Sequence, residues 1–181
     1  MIQRRIDGSR DFHQDWNTFK EGFGNASGEY WIGNDYLHYL TSTRSYTLRI
    51  ELEDWDNERR YAAYSSFAVA SEADKYRLTL GSYTGTVSAD ETVDTTSGFL
   101  YHNNAMFSTY DQDNDSTEAG FCIGDMGYGG FWHQACTRVC PNNNYCRPSS
   151  NMCGLHNNVR WDGWHGAFYS LKTFVMMIRP A

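Results

Sequence analysis

The segment Asp111-Gln-Asp113-Asn-Asp115-Ser-Thr-Glu118 places four carboxylates within eight residues, with no basic residue among them. Packed together without a counterion such groups repel, so a bound cation would stabilise the loop. Alternating hard oxygen ligands suit Ca2+, which also accepts backbone carbonyls. An EF-hand register fits Asp111, Asp113 and Asp115 at its first, third and fifth positions. It fails at the sixth, Ser116 rather than Gly, and at the twelfth, Cys122 rather than Glu. The other reading of the segment is a solvated acidic turn.

The five cysteines are the second chemical feature, and all fall between Cys122 and Cys153. Their spacing lacks a CxxC pair, and His156 lacks an HxxxH partner, so zinc is not indicated. A late, dense cluster of this kind points to disulfides in an oxidising compartment. His133, Cys136 and His156 are the residues from which a nucleophilic system would be assembled, but nothing in their spacing specifies one. GxSxG, HExxH and P-loop motifs are absent, and the acidic residues sit in one loop rather than flanking a scissile bond. The expectation is a recognition module and not an enzyme. Asn25-Ala-Ser27 and Asn114-Asp-Ser116 are potential glycan acceptors.

These residues need a scaffold, and a chain of 181 residues with 40% apolar and 16% aromatic content can build one domain with a real core. Net charge is −7, and Arg4-Arg5 and Arg59-Arg60 are isolated doublets rather than a basic stripe, which sets nucleic acid aside. The longest apolar stretches, such as 174–178, are too short to span a bilayer. No apolar leader follows Met1, so no signal peptide is visible in this chain.

Phe12, Trp16 and Phe19 recur at helical spacing, which predicts a helix over 9–22 capped by Ser9 and ended by Gly22 and Gly24. Residues 29–33 read as a short buried strand, and Asn34 opens a second short helix through Leu40. Tyr46, Leu48, Ile50 and Leu52 alternate, predicting a half-buried strand over 46–54. Strands are also expected over 61–70, 76–80 and 170–178, the last closed by Pro180. From Gly81 to Val159 periodicity fades into a loop-rich stretch, which is where function concentrates. The fold class is α+β: one domain over 1–181, with an antiparallel sheet and short helices first and a loop-rich calcium- and ligand-binding half second.

Four stretches carry a family resemblance in order along the whole chain. They are Gln3-Arg-Arg-Ile-Asp-Gly-Ser9, Gly22-Phe-Gly-Asn-Ala-Ser-Gly-Glu-Tyr-Trp-Ile-Gly-Asn34, Phe107-Ser-Thr-Tyr-Asp-Gln-Asp-Asn-Asp115 and Trp161-Asp-Gly-Trp-His-Gly-Ala-Phe-Tyr-Ser-Leu-Lys172. Together they resemble the fibrinogen C-terminal domain family, which includes fibrinogen chains, ficolins, tachylectin-like lectins, angiopoietins and tenascins. Ficolin- and tachylectin-like lectins are the expected nearest type. Such domains normally open with a further disulfide-bearing segment before the position of Ile2, so the chain is expected to be N-terminally truncated.

The resemblance implies a calcium site with side-chain ligands Asp113 and Asp115 and carbonyls from Thr117 and from Ala119 or Gly120. It implies a disulfide between Cys122 and Cys136, and a cis peptide after Ala135 of the kind seen in lectin-like members. Cys140, Cys146 and Cys153 have no counterpart in the family pattern; two can pair in three ways, leaving one thiol over. In lectin-like members an aromatic pocket holds an acetyl methyl while backbone amides bind its carbonyl. The matching positions are Tyr128, Cys136, Thr137, Tyr145 and Leu155, with Thr137 where many members have His and Leu155 where an aromatic is common. Trp161, Trp164 and Tyr169 read as core. The implied function is an extracellular, secreted, calcium-dependent module that binds acetylated glycans in innate immunity. The alternative is a protein-binding module: a receptor ligand, a matrix protein or a clot-type assembly domain. Relatives oligomerise through upstream regions that this chain lacks.

Overall fold

The structure is a computed structural model that describes residues 1–88, 90–118, 120, 122–126, 129–148 and 157–181. The elements run β1 (Gln3–Arg5), α1 (Trp16–Glu21), β2 (Phe23–Gly24), β3 (Tyr30–Trp31), α2 (Asn34–Thr43), β4 (Tyr46–Glu53), β5 (Arg59–Val69), β6 (Leu78–Leu80) and β7 (Tyr83–Gly85). Then follow α3 (Glu91–Ser97), β8 (Phe107–Ser108), α4 (Cys122–Met126), β9 (Phe131–Trp132), β10 (Val139–Cys140), β11 (Arg160–Trp161), α5 (Asp162–His165) and β12 (Thr173–Pro180). The main sheet has the order β2-β3-β1-β12-β4-β5-β6, with β7 also on β5, and every pairing is antiparallel. Two-stranded pairs β8–β9 and β10–β11 carry the loop-rich half. Among the described residues no helix is long and apolar enough to cross a membrane.

The alternation read in β4 is real: Leu48, Ile50 and Leu52 are buried while Arg49 and Glu51 are exposed. Phe174 and Met176 of β12 lie opposite Leu52 and Ile50 and continue the same buried face. Against it packs an aromatic cluster, with Trp31 5.8 Å from Phe107 and Phe107 5.4 Å from Trp132 between ring centroids. The second pair is edge-to-face, a geometry that stabilises beyond the area it buries.

The helix expected over 9–22 is confined to α1, and its N-cap is Asp15, whose carboxylate accepts from Thr18 N at 2.8 Å, rather than Ser9. The reason lies upstream. Glu29 Oε1 accepts the amides of Ile6, Asp7 and Gly8, and Oε2 accepts that of Arg10. Asp7 and Asp11 take the amides of Ser9 and His13. Backbone donors held by side-chain carboxylates are lost to an i→i−4 ladder. Phe12 still reaches the core, from a loop. The strand expected over 76–80 begins at Leu78 because Lys75 and Tyr76 adopt left-handed conformations, φ 52° and 51°.

Arg5 and Glu29 are the charges this arrangement buries. Their side chains are 2% and 0% exposed, with Nε 3.3 Å from Oε1. Arg5 Nη1 also donates to the carbonyls of Pro141 and Asn143 at 2.8 and 2.7 Å, and its guanidinium lies 4.2 Å over the Phe12 ring. Burial pushes the Glu29 carboxyl up, but Arg5 and the backbone amides outweigh it and leave it below the usual range. Breaking such a pair leaves an uncompensated buried charge, at a cost of roughly 3–5 kcal/mol. Glu29→Gln is therefore expected to lower unfolding stability by about that amount, read as a fall in the urea midpoint; a loss under ~1 kcal/mol would contradict the role.

Candidate functional site

The acidic loop springs from β8, whose Phe107 pairs with Trp132 of β9 in the core. Asn114 fastens it, donating from Nδ2 to Phe107 O at 2.8 Å and from N to Ser108 Oγ at 3.0 Å. Asp111 faces the protein, accepting Trp16 N at 3.0 Å and Thr109 Oγ1 at 2.7 Å. Asp115 closes the loop: Oδ1 accepts Thr117 N at 2.8 Å and Oδ2 accepts Cys122 N at 2.9 Å. Asp113 is exposed and accepts Asp115 N at 3.1 Å. Partial burial raises its carboxyl, and neighbouring Asp115 raises it further. A cation would reverse that effect, so Asp113 and Asp115 fit calcium in type. Among the described residues no group of three or more His, Cys, Asp or Glu could hold a metal, so such an ion would depend on backbone oxygens as well. Thr117 and Gly120 lie in the described loop; Ala119 lies outside the described residues.

Cys122 and Cys136 form a disulfide with Cα atoms 5.5 Å apart, and the Ala135–Cys136 peptide is cis. Closing a loop of this length contributes about 3 kcal/mol by restricting the unfolded chain. Cys136 is thus no thiolate nucleophile. Cys146 is also disulfide-bonded, and Cys140 is a free, buried thiol that burial pushes up to about 12. Cys153 and His156 lie outside the described residues.

Of the residues matched to an acetyl pocket, Tyr128 and Leu155 lie outside the described residues. Thr137 is buried, with Oγ1 donating to Val139 O at 2.9 Å and its carbonyl accepting from Arg160 Nη2 at 2.7 Å. Tyr145 holds its hydroxyl 2.7 Å from Ile6 O and 2.8 Å from Lys172 O, tying the start of the chain to the approach to β12. Its ring packs on Gly8, where φ is 73° and an added Cβ would come within 2.8 Å of Tyr145 Cδ1.

Tyr145 opens onto a feature that sequence reasoning missed. Its ring is 6.2 Å from Trp55, and Arg147 lies 4.6 Å over the Trp55 ring. Trp55 donates from its amide to Tyr169 Oη at 3.1 Å and from Nε1 to Ser170 O at 2.9 Å. Tyr169 stacks on His165 at 4.1 Å, His165 on Trp164 at 4.6 Å, and Arg60 lies 4.8 Å over Trp164. The result is a ladder of aromatic rings bracketed by arginines, with Phe168 63% exposed beside it. Asp54 organises it: Oδ1 accepts the amides of Asp56 and Glu58, fixing the turn that holds Trp55, and Oδ2 lies 3.1 Å from His165 Nε2. A cavity of about 570 Å3 opens at one end, walled by Trp55, Tyr145, Arg147 and Lys172. Trp161 is core as expected, whereas Trp164 and Tyr169 lie half-buried at its rim. Two available signals were Trp55 in the turn after β4 and the Trp-His pair at 164–165.

Behind the cis peptide, His102 holds the 137–139 backbone. Its Nε2 accepts from Arg138 N at 3.2 Å and Val139 N at 3.0 Å, so Nδ1 carries the proton given to Trp132 O at 2.6 Å. Burial lowers His102 to about 3 and His133 to about 4. Both bind protons more readily once unfolded, near pH 6.5. Their stabilising contribution is therefore complete above that pH and is lost as pH falls toward the folded values. Between pH 6.5 and 5 the unfolding free energy is expected to drop by about 1.6 kcal/mol for each histidine, measured by urea titration at each pH. A flat profile over that window would contradict the neutral, buried assignment.

The family described as fibrinogen beta and gamma chains, C-terminal globular domain, matches residues 1–181. Angiopoietin-related protein 7 of Mus musculus is 44% identical over 183 residues, covering 99% of this chain and 50% of its own length. Angiopoietin-1 of Bos taurus is 42% identical over 180 residues, covering 99% of this chain and 34% of its own. The chain thus spans half or less of these curated relatives. The fibrinogen-like globe domain of human ANGPTL2 superposes with a TM-score of 0.88 at 38% identity, covering 99% of this chain and 78% of that one. The expected affinity to ficolin- and tachylectin-like lectins is corrected by these relatives toward the angiopoietin type. On the whole-length match and these identities, the chain belongs to the fibrinogen C-terminal globular domain family.

Proposed function

We propose that the chain is an extracellular protein-binding module of the angiopoietin-related kind, a ligand or matrix domain rather than an acetyl-glycan lectin. The observation that carries this reading is the similarity to angiopoietin-related protein 7 and angiopoietin-1 over 99% of the chain. The Cys122–Cys136 disulfide agrees with an oxidising, secretory route. The ladder from Arg60 through Trp164 and Trp55 to Arg147 supplies the contact surface. Trp, Tyr and Arg dominate the energetics of protein interfaces because they bury large area at low entropic cost and carry a polar end. Trp164, His165 and Tyr169 are already stacked and Trp55 is held by two hydrogen bonds, so little side-chain freedom remains to be lost on binding.

The test presents the full chain to a panel of purified extracellular receptor ectodomains and, in parallel, to N-acetylglucosamine resin. Saturable binding to an ectodomain, weakened about 30-fold or more by Trp55→Ala or Phe168→Ala, is the expected result for a hot spot. Retention on the resin with release by free acetylated sugar, and no ectodomain binding, would restore the lectin reading.

Calcium belongs to the proposal, held by Asp113 and Asp115 with carbonyls of the 117–120 stretch. Its role is to neutralise the loop carboxylates and fix the backbone between β8 and Cys122. With the weak affinity common in extracellular modules, calcium at ten times its dissociation constant is expected to add about 1.4 kcal/mol, a rise of a few degrees in melting temperature. Asp113→Asn should abolish most of that rise, and an equal rise in the variant would remove Asp113 from the site.

A further inference from the structure

The two Asn-x-Ser sequences meet different fates in the fold. Asn25 lies exposed at the tip of the β2–β3 hairpin, where Gly28 N donates to Asn25 O at 2.8 Å and Asn25 N to Glu29 O at 3.1 Å. Its Oδ1 accepts both Ser27 N, at 2.9 Å, and Ser27 Oγ, at 2.8 Å. This local turn needs only contacts two residues apart, so it forms without the rest of the fold. It commits the amide oxygen to the Ser27 hydroxyl on a residue exposed to solvent. Asn114 is the reverse: it is half-buried, and its Nδ2 donates to Phe107 O at 2.8 Å. The hydroxyl of its partner Ser116 goes to Gln134 Oε1 at 3.1 Å, not to Asn114.

We propose that Asn25 is an N-linked glycosylation site and that Asn114 is not. The donor is a lipid-pyrophosphate-linked oligosaccharide. Asn25 Nδ2 displaces the pyrophosphate at the anomeric carbon, an N-glycosidic bond forms as the C–O bond breaks, Nδ2 gives up one proton, and the lipid pyrophosphate departs. The proposal rests on the secretory route taken above. Its structural consequence lies in the sheet order: β2 is an outermost strand, and a glycan at the turn after it stands beside a short edge that is otherwise open to pairing.

The experiment expresses the full chain behind a secretory leader in a eukaryotic host and recovers it from the medium. Peptide mass mapping with and without peptide:N-glycosidase treatment is expected to show one glycan, with enzymatic release deamidating position 25 and leaving position 114 as asparagine. Ser27→Ala, an exposed change outside the core, should lose the glycan entirely, while Ser27→Thr should keep it. Secreted chain that carries the Cys122–Cys136 disulfide but no glycan on Asn25 would overturn the assignment and leave the extracellular reading standing. A glycan on Asn114, or one that survives Ser27→Ala, would overturn it as well.

Discussion

Arg5 lies in β1 and Glu29 just before β3, yet between them they satisfy backbone groups from two separate stretches of chain. Glu29 gathers the amides of the 6–10 loop, and Arg5 gathers the carbonyls of Pro141 and Asn143. The loop that follows β10 is therefore anchored to the β1 end of the sheet by charge-assisted hydrogen bonds. Tyr145, which continues that loop, places its hydroxyl between Ile6 O and Lys172 O. The aromatic ladder begins at this ring. Its position follows from a charge pair that reaches its first ring, the Arg5 guanidinium lying 5.8 Å over Tyr145.

The two halves of the molecule share little local regularity, and polar bonds join them alongside the shared aromatic core. Asp111 reaches the first amide of α1, and Asn103 Oδ1 accepts Leu80 N at the sheet edge, while within the loop-rich half His102 holds the backbone of 138 and 139. Such bonds fix direction as well as distance, which apolar contact alone does not. They let short strands of two residues hold position in a region without long elements.

What sequence made legible was what depends on neighbours along the chain. The alternation of β4, the opening of α2 at Asn34 and the acidic loop follow from residues a few positions apart. The Cys122–Cys136 bond came through family resemblance. Glu29 was unreadable because its partners lie about twenty residues back and include amides that any residue carries. It is also why helical spacing at Phe12, Trp16 and Phe19 overstated α1. The ladder was hidden for the same reason: Trp55 and Tyr169 are 114 residues apart and meet through a backbone amide and a phenol oxygen. Which of Cys140 and Cys146 stays reduced is a question of distance in space, and spacing alone leaves it open.

The place of β12 has a consequence for how the molecule comes into being. This strand is made after all the others of the sheet, yet it lies between β1 and β4, pairing with Tyr46 to Glu53 along its whole length. While a ribosome is still making residues 173–180, β1 and its hairpin have no bond to the rest of the sheet, and the apolar face of β4 stays open to water. Folding must wait for termination or for downstream sequence to emerge, and a nascent chain held before that point is a client for chaperones. A nonsense codon just before β12 would leave the sheet in two pieces.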